Sequence, residues 1–146
     1  MNSKTILLVE DNINDIELTR RALVKNHIKN KLDVVENGQD ALDYLFGKGK
    51  YSYRASAKLP TLILLDVNLP GVNGLEVLRC IRLDKHTQHL PVVILTSSKA
   101  EQDVAASYNL GVNSYIRKPV DFNQFANAIE NLGLYWLVIN QPPPIT

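Results

Sequence analysis

Two short apolar runs, each ending in acid, constrain this chain more than any other feature. Thr61-Leu62-Ile63-Leu64-Leu65 closes on Asp66, with Asn68, Pro70, Gly71 and Gly74 close behind. Ile6-Leu7-Leu8-Val9 closes on Glu10-Asp11. Runs this short cannot span a bilayer, and their unbroken apolar character fits strands buried on both faces. An acid at the end of such a strand lies on the rim of a parallel sheet, where open α/β folds place ligands. If the two strands are neighbours, three carboxylates meet at one spot. They repel one another, so a cation joins them or one of them takes up a proton.

The rest of the chain repeats this rhythm. Strand-like runs span Thr5 to Val9, Leu32 to Glu36, Leu62 to Leu65, Pro91 to Thr96 and Ser114 to Arg117. Helix-like stretches follow them at Asp15 to Lys25, Gln39 to Phe46, Leu75 to Leu83, Ala100 to Leu110 and Asp121 to Trp136. Such alternation predicts an α/β fold, a doubly wound parallel sheet with helices on both faces. The segment Gly47 to Pro60 interrupts it with few aliphatics and reads as a surface loop. Its Gly47-Lys48-Gly49 follows a helix, not a strand, so it is a poor phosphate loop. Pro142-Pro143-Pro144 cannot extend a helix. The expected organisation is one domain over 1–140, a Pro-rich tail over 141–146, and no output domain.

Bulk properties narrow the function. With 146 residues, 45% of them hydrophobic, the chain has the material for one ordinary core. Lys plus Arg number 16 against 15 for Asp plus Glu. That balance gives no electrostatic case for a nucleic-acid partner. Cys80 is the single cysteine, so no internal disulfide forms, which suits a reducing cytoplasm. No signal peptide or membrane span is visible. A cytoplasmic protein without membrane or nucleic-acid partners is expected.

At the ends of the fourth and fifth runs stand Thr96-Ser97-Ser98 and Lys118-Pro119. A parallel sheet gathers all these ends on one edge, which then holds three acids, a hydroxyl and an amine. Mg²⁺ takes one or two carboxylates with water and phosphate oxygens. Lys and Thr neutralise and bond phosphoryl oxygens, and a carboxylate can accept the phosphoryl group as nucleophile.

These residues resemble the receiver domains of two-component response regulators, over nearly the whole chain. Asp66 comes 55 residues after Asp11, within Leu-Leu-Asp-Val-Asn-Leu-Pro-Gly-Val-Asn-Gly; Thr96 and Lys118 lie 30 and 52 residues after Asp66. The resemblance implies a flavodoxin-like (βα)5 fold with strand order 2-1-3-4-5. It implies Asp66 as phosphoacceptor, with Mg²⁺ held by the Asp11 and Asp66 side chains and the Asn68 carbonyl, and by Glu10 through water. Thr96 and Lys118 would engage the phosphoryl group, and Tyr115 would be the rotating switch. Ser97 would be the small residue that leaves access, and Asn68 and Ser98 would tune hydrolysis. The Lys118–Pro119 bond would be cis. The partner implied is a sensor histidine kinase.

The Gly47 to Pro60 insertion, the run Asn-Ser-Tyr-Ile-Arg-Lys-Pro-Val-Asp-Phe-Asn-Gln-Phe and the late Tyr-Trp-Leu-Val-Ile resemble the stand-alone regulators paired with bacterial phytochromes. That narrower resemblance implies a phytochrome-type kinase and a homodimer formed through the C-terminal half. Leu134 to Ile139, apolar almost all round and carrying Tyr135 and Trp136, either covers core beyond the usual domain or forms such an interface, which its aromatics favour.

Two other functions suit an Asp after a buried strand. A haloacid-dehalogenase-type phosphatase would carry a second Asp two residues later as general acid, where this chain has Asn68. A flavodoxin-like electron carrier would need phosphate-cradling hydroxyls after the first strand, where Glu10-Asp11 stand instead. His86 and His89 lack a nearby third ligand, and Cys80 reads as a packing residue.

Overall fold

The computed structural model describes residues 4–112 and 114–133. Five strands form one parallel sheet: β1 (Thr5–Val9), β2 (Lys31–Val35), β3 (Leu62–Asp66), β4 (Val92–Thr96) and β5 (Ser114–Arg117). Their order is β2-β1-β3-β4-β5, the flavodoxin-like order expected of a receiver. The helices are α1 (Ile13–Lys25), α2 (Gly38–Phe46), α3 (Gly74–Leu83), α4 (Lys99–Ser107) and α5 (Phe122–Leu132).

The apolar runs are unbroken because each strand feeds two cores. Leu7 and Val9 of β1 join Ile63, Leu65 and Ile94 in a core closed by Leu45 of α2, Val77, Leu78 and Ile81 of α3, and Ala105 of α4. Ile6 and Leu8 point the other way, to Leu64, Leu95 and Ile116, under Leu23 of α1 and Phe125 and Ile129 of α5. Side chains alternate along a strand, so β1, β3 and β4 need apolar residues at every position.

Each helix starts on the edge where the strands end, and each is capped there by a polar side chain. Asn12, Asn37, Asn73, Ser98 and Asp121 accept backbone N–H groups of the first turns of α1 to α5. The edge that carries the acids is therefore also the edge of helix N-termini.

Three segments depart from expectation. The Gly47 to Pro60 insertion is exposed at Lys48, Lys50 and Tyr53, yet Gly49–Arg54 forms a 3₁₀ helix. Tyr51 and Leu59 pack on the first core. The Arg54 guanidinium lies 3.6 Å from the Tyr44 ring centre, and Tyr51 meets that ring edge-on at 5.6 Å. Aromatic and guanidinium stacking supplies order that a count of aliphatics misses. Helix α4 stops at Ser107, three residues short of the expected Leu110, and Asn109 takes the left-handed conformation at φ 52°. Helix α5 stops at Leu132 because Gly133 caps it in that same conformation, φ 67°. The part of the expected helix beyond that cap, to Trp136, lies outside the described residues. The interface expected at Leu134 to Ile139 and the Pro-rich tail lie outside the described residues. Among those described, no helix is long and apolar enough to cross a membrane.

Candidate functional site

Strand register assembles the site. Val9 pairs with Leu65, so Glu10, one residue on, comes level with Asp66. Asp66 pairs with Leu95, and Thr96 pairs with Arg117, which puts Thr96 and Lys118 one step beyond the same rim. Gly74 lets α3 start against the end of β3. A Cβ there would stand 2.1 Å from the Asp66 carbonyl oxygen, closer than atoms can approach.

Glu10, Asp11 and Asp66 bring carboxylate oxygens within 4.8 Å of one another. Glu10 and Asp66 are buried, and Asp11 faces solvent. The Lys118 amine donates to Asp66 Oδ2 at 2.9 Å and to Glu10 Oε2 at 3.3 Å. It also pairs with Asp15 at 3.3 Å. Asp66 Oδ1 accepts the Asn68 N–H at 3.1 Å, and Glu10 Oε1 accepts that of Asn12 at 3.1 Å. Thr96 is buried, and its Oγ1 has no hydrogen-bond partner among the described residues. The Lys118–Pro119 peptide is cis.

The other expected residues lie around this centre. Tyr115 is half-buried against the first core, and burial pushes its hydroxyl pKa up. Ser98 caps α4 by accepting the Glu101 N–H at 3.1 Å. The Asn68 side chain turns to Glu101, to which its amide donates. His86 and His89 are exposed and join no cluster of metal-ligating side chains among the described residues; Cys80 is half-buried on α3.

Two residues escaped the reading of the sequence. In the sequence Asp15 only opens a helix-like run; in the structure it stands in the first turn of α1 and pairs with Lys118. Glu101 stands in the first turn of α4, a place where acids are common for capping alone. Asp15's spacing of four from Asp11 was the available signal; for Glu101 the pattern Ser98-x-x-Glu101 marked a cap and nothing more.

The electrostatics favour a divalent cation. Glu10, Asp15 and Asp66 surround one amine, and Asp11 joins Glu10 and Asp66 in the carboxylate cluster; all offer the hard oxygen donors that Mg²⁺ or Mn²⁺ prefers. Burial, reinforced by Asp66, pushes the Glu10 carboxyl up to about 7. Burial also opposes the Lys118 charge, but Asp66, Glu10 and Asp15 outweigh it and push its pKa up. Folded Glu10 thus binds its proton more tightly than unfolded Glu10. Its contribution to stability is complete below about 4.5 and is lost as pH rises through about 7. In metal-free buffer the wild type should therefore lose on the order of 3 kcal/mol relative to Glu10→Gln over that window. Mg²⁺ should raise Tm more at about pH 8 than at about pH 6, because it competes with that proton. Thermal melts of both proteins check this; parallel pH curves would refute it.

The model of the response regulator receiver domain family matches residues 6–130.

The chain belongs to the response regulator receiver family.

This receiver is 37% identical over 134 residues to the response regulator Rcp1 of Synechocystis sp., covering 92% of this chain and 89% of that protein. It is 36% identical over 138 residues to the probable methanogenesis regulatory protein FilR2 of Methanothrix harundinacea, covering 94% and 86%. Among solved structures, the bacteriophytochrome response regulator RtBRR matches with a TM-score of 0.88 at 50% identity, over 98% of this chain and 86% of that one. Membership in the receiver family sets aside the phosphatase and electron-carrier alternatives.

Proposed function

We propose that this receiver takes a phosphoryl group from the histidine of a sensor kinase onto Asp66, with Mg²⁺ as its metal. The observation that carries the reading is the Lys118 amine, held 2.9 Å from a buried Asp66 inside a three-carboxylate cluster. In the transfer the histidine N–P bond breaks and an Asp66 O–P bond forms. Lys118 balances charge on the phosphoryl oxygens, and Thr96 Oγ1 gains an acceptor it otherwise lacks. Asp11, Asp66 and the Asn68 carbonyl would hold the metal, with Glu10 acting through water. A bound Mg²⁺ supplies positive charge for the anionic phosphoryl group. The chain thus assists its own phosphorylation and dephosphorylation but turns over no separate substrate. Asn68, whose N–H bonds Asp66, and Ser98, the cap of α4, tune hydrolysis.

The new charge of about −2 on Asp66 favours the arrangement in which Thr96 and Lys118 close on it. Tyr115 moves inward with the loop after β4, and the face from α4 to α5 changes its partner. The likeness to the bacteriophytochrome response regulator RtBRR supports a phytochrome-type kinase; a cytoplasmic setting and a homodimer formed through the C-terminal half complete the reading. No nucleic-acid partner is invoked.

Incubation with acetyl phosphate and Mg²⁺ should add one phosphoryl group by intact mass, mapping to the peptide that holds Asp66, with none added in metal-free buffer. Steady turnover of small phosphomonoesters, or a label elsewhere, would overturn the reading. Sedimentation of the same samples should show a dimer; monomers in both would remove that part.

A further inference from the structure

We propose that Glu101 is a positioning residue that holds the receiver in its unphosphorylated arrangement and slows phosphoryl entry at Asp66. The inference rests on the phosphoacceptor reading above and names a residue outside its site. Glu101 occupies the third position of α4, after the Ser98 cap. In a capping box its carboxylate would turn back to the N–H of the capping serine. Here it reaches one residue further, and Oε1 accepts the Ser97 N–H at 2.7 Å. Its other oxygen accepts the Asn68 side-chain amide. One half-buried carboxylate thus ties the loop after β3 to the loop after β4.

Both loops bear on the nucleophile. The Asn68 N–H donates to Asp66 Oδ1, and Ser97 directly follows Thr96 with its unpartnered Oγ1. A phosphoryl group on Asp66 offers Thr96 an acceptor. Reaching it draws the Ser97 N–H off Glu101. The dianionic group beside Asn68 also repels the Glu101 carboxylate. Bonding and charge act in the same direction, so Glu101 weights the resting arrangement.

The test is the rate of Asp66 labelling by acetyl phosphate in saturating Mg²⁺, read by intact mass. Wild type, Glu101→Ala, Glu101→Gln, Asn68→Ala and the Asn68→Ala/Glu101→Ala double variant are compared. Glu101→Ala should label about three- to tenfold faster. Glu101→Gln should fall between, since an amide still accepts the Ser97 N–H but carries no charge. Mg²⁺ affinity should match between wild type and Glu101→Ala. In the Asn68→Ala background the gain from Glu101→Ala should shrink, because the two residues act through one contact. Equal or slower labelling of Glu101→Ala overturns the inference. So does a gain undiminished without Asn68, which is what a role confined to capping α4 would give. Absence of label in every protein, wild type included, overturns the phosphoacceptor reading instead, and this inference with it.

Discussion

Asp66→Asn should take up no phosphoryl group from acetyl phosphate, however long the incubation, while keeping the fold. Three acids stand at the site, but their environments differ. Glu10 is fully buried and its carboxyl is pushed up to about 7, so near neutral pH it holds its proton much of the time and is a poor nucleophile. Asp11 faces solvent and has no ion pair with Lys118. Asp66 alone combines burial, a 2.9 Å contact to the amine and a bond from the Asn68 N–H that orients it. Asparagine keeps one oxygen, which can still accept the Asn68 N–H, but puts an NH₂ where Asp66 Oδ2 met Lys118; Lys118 retains Glu10 and Asp15, so the fold is kept. Losing one of three carboxylates should also weaken Mg²⁺ binding, by about tenfold or more. Intact mass reads the first effect and Mg²⁺-dependent melting the second. A full label on Asp66→Asn would move the nucleophile to Asp11.

Much of this was legible in the residues because parallel sheets make their rims predictable. Strands β1 and β5 fell at Thr5–Val9 and Ser114–Arg117 as expected, and β3 gained only its terminal Asp66. Apolar runs end where the chain leaves the core, so a charge at the end of one reports a position in space. Asp15 and Glu101 carry no such marker. An acid in the first turn of a helix is satisfied by the helix dipole and by capping whether or not it faces a site. Only the fold shows that α1 turns Asp15 towards Lys118 and α4 turns Glu101 towards Asn68. The insertion was misread for another reason: Tyr44, Tyr51 and Arg54 hold it by stacking, a pattern without the periodicity that marks a core face. The end of α5 is marked in the sequence by Gly133, which takes the left-handed cap after Leu132.

Lys118→Met should be the most damaging change to the metal-free protein. Lys118 is 13% exposed and meets Asp66, Glu10 and Asp15 at 2.9, 3.3 and 3.3 Å. Methionine keeps most of the volume and removes the charge, leaving Glu10 and Asp66 buried with no cation beside them. Removing one partner of a buried ion pair costs about 3–5 kcal/mol. The loss should depend on pH. Lys118 holds the Glu10 pKa down against burial, so without it Glu10 keeps its proton to higher pH. Near about pH 5 a protonated Glu10 relieves most of the repulsion and the variant should approach the wild type. Near about pH 8 the full penalty should appear in denaturant melts. A saturating divalent cation supplies the missing charge and should return part of the stability. It cannot replace the amine at the phosphoryl oxygens, so labelling by acetyl phosphate should still fall by about a hundredfold or more. A variant as stable as wild type at high pH without metal would mean that the acids at this rim do not crowd as the register requires.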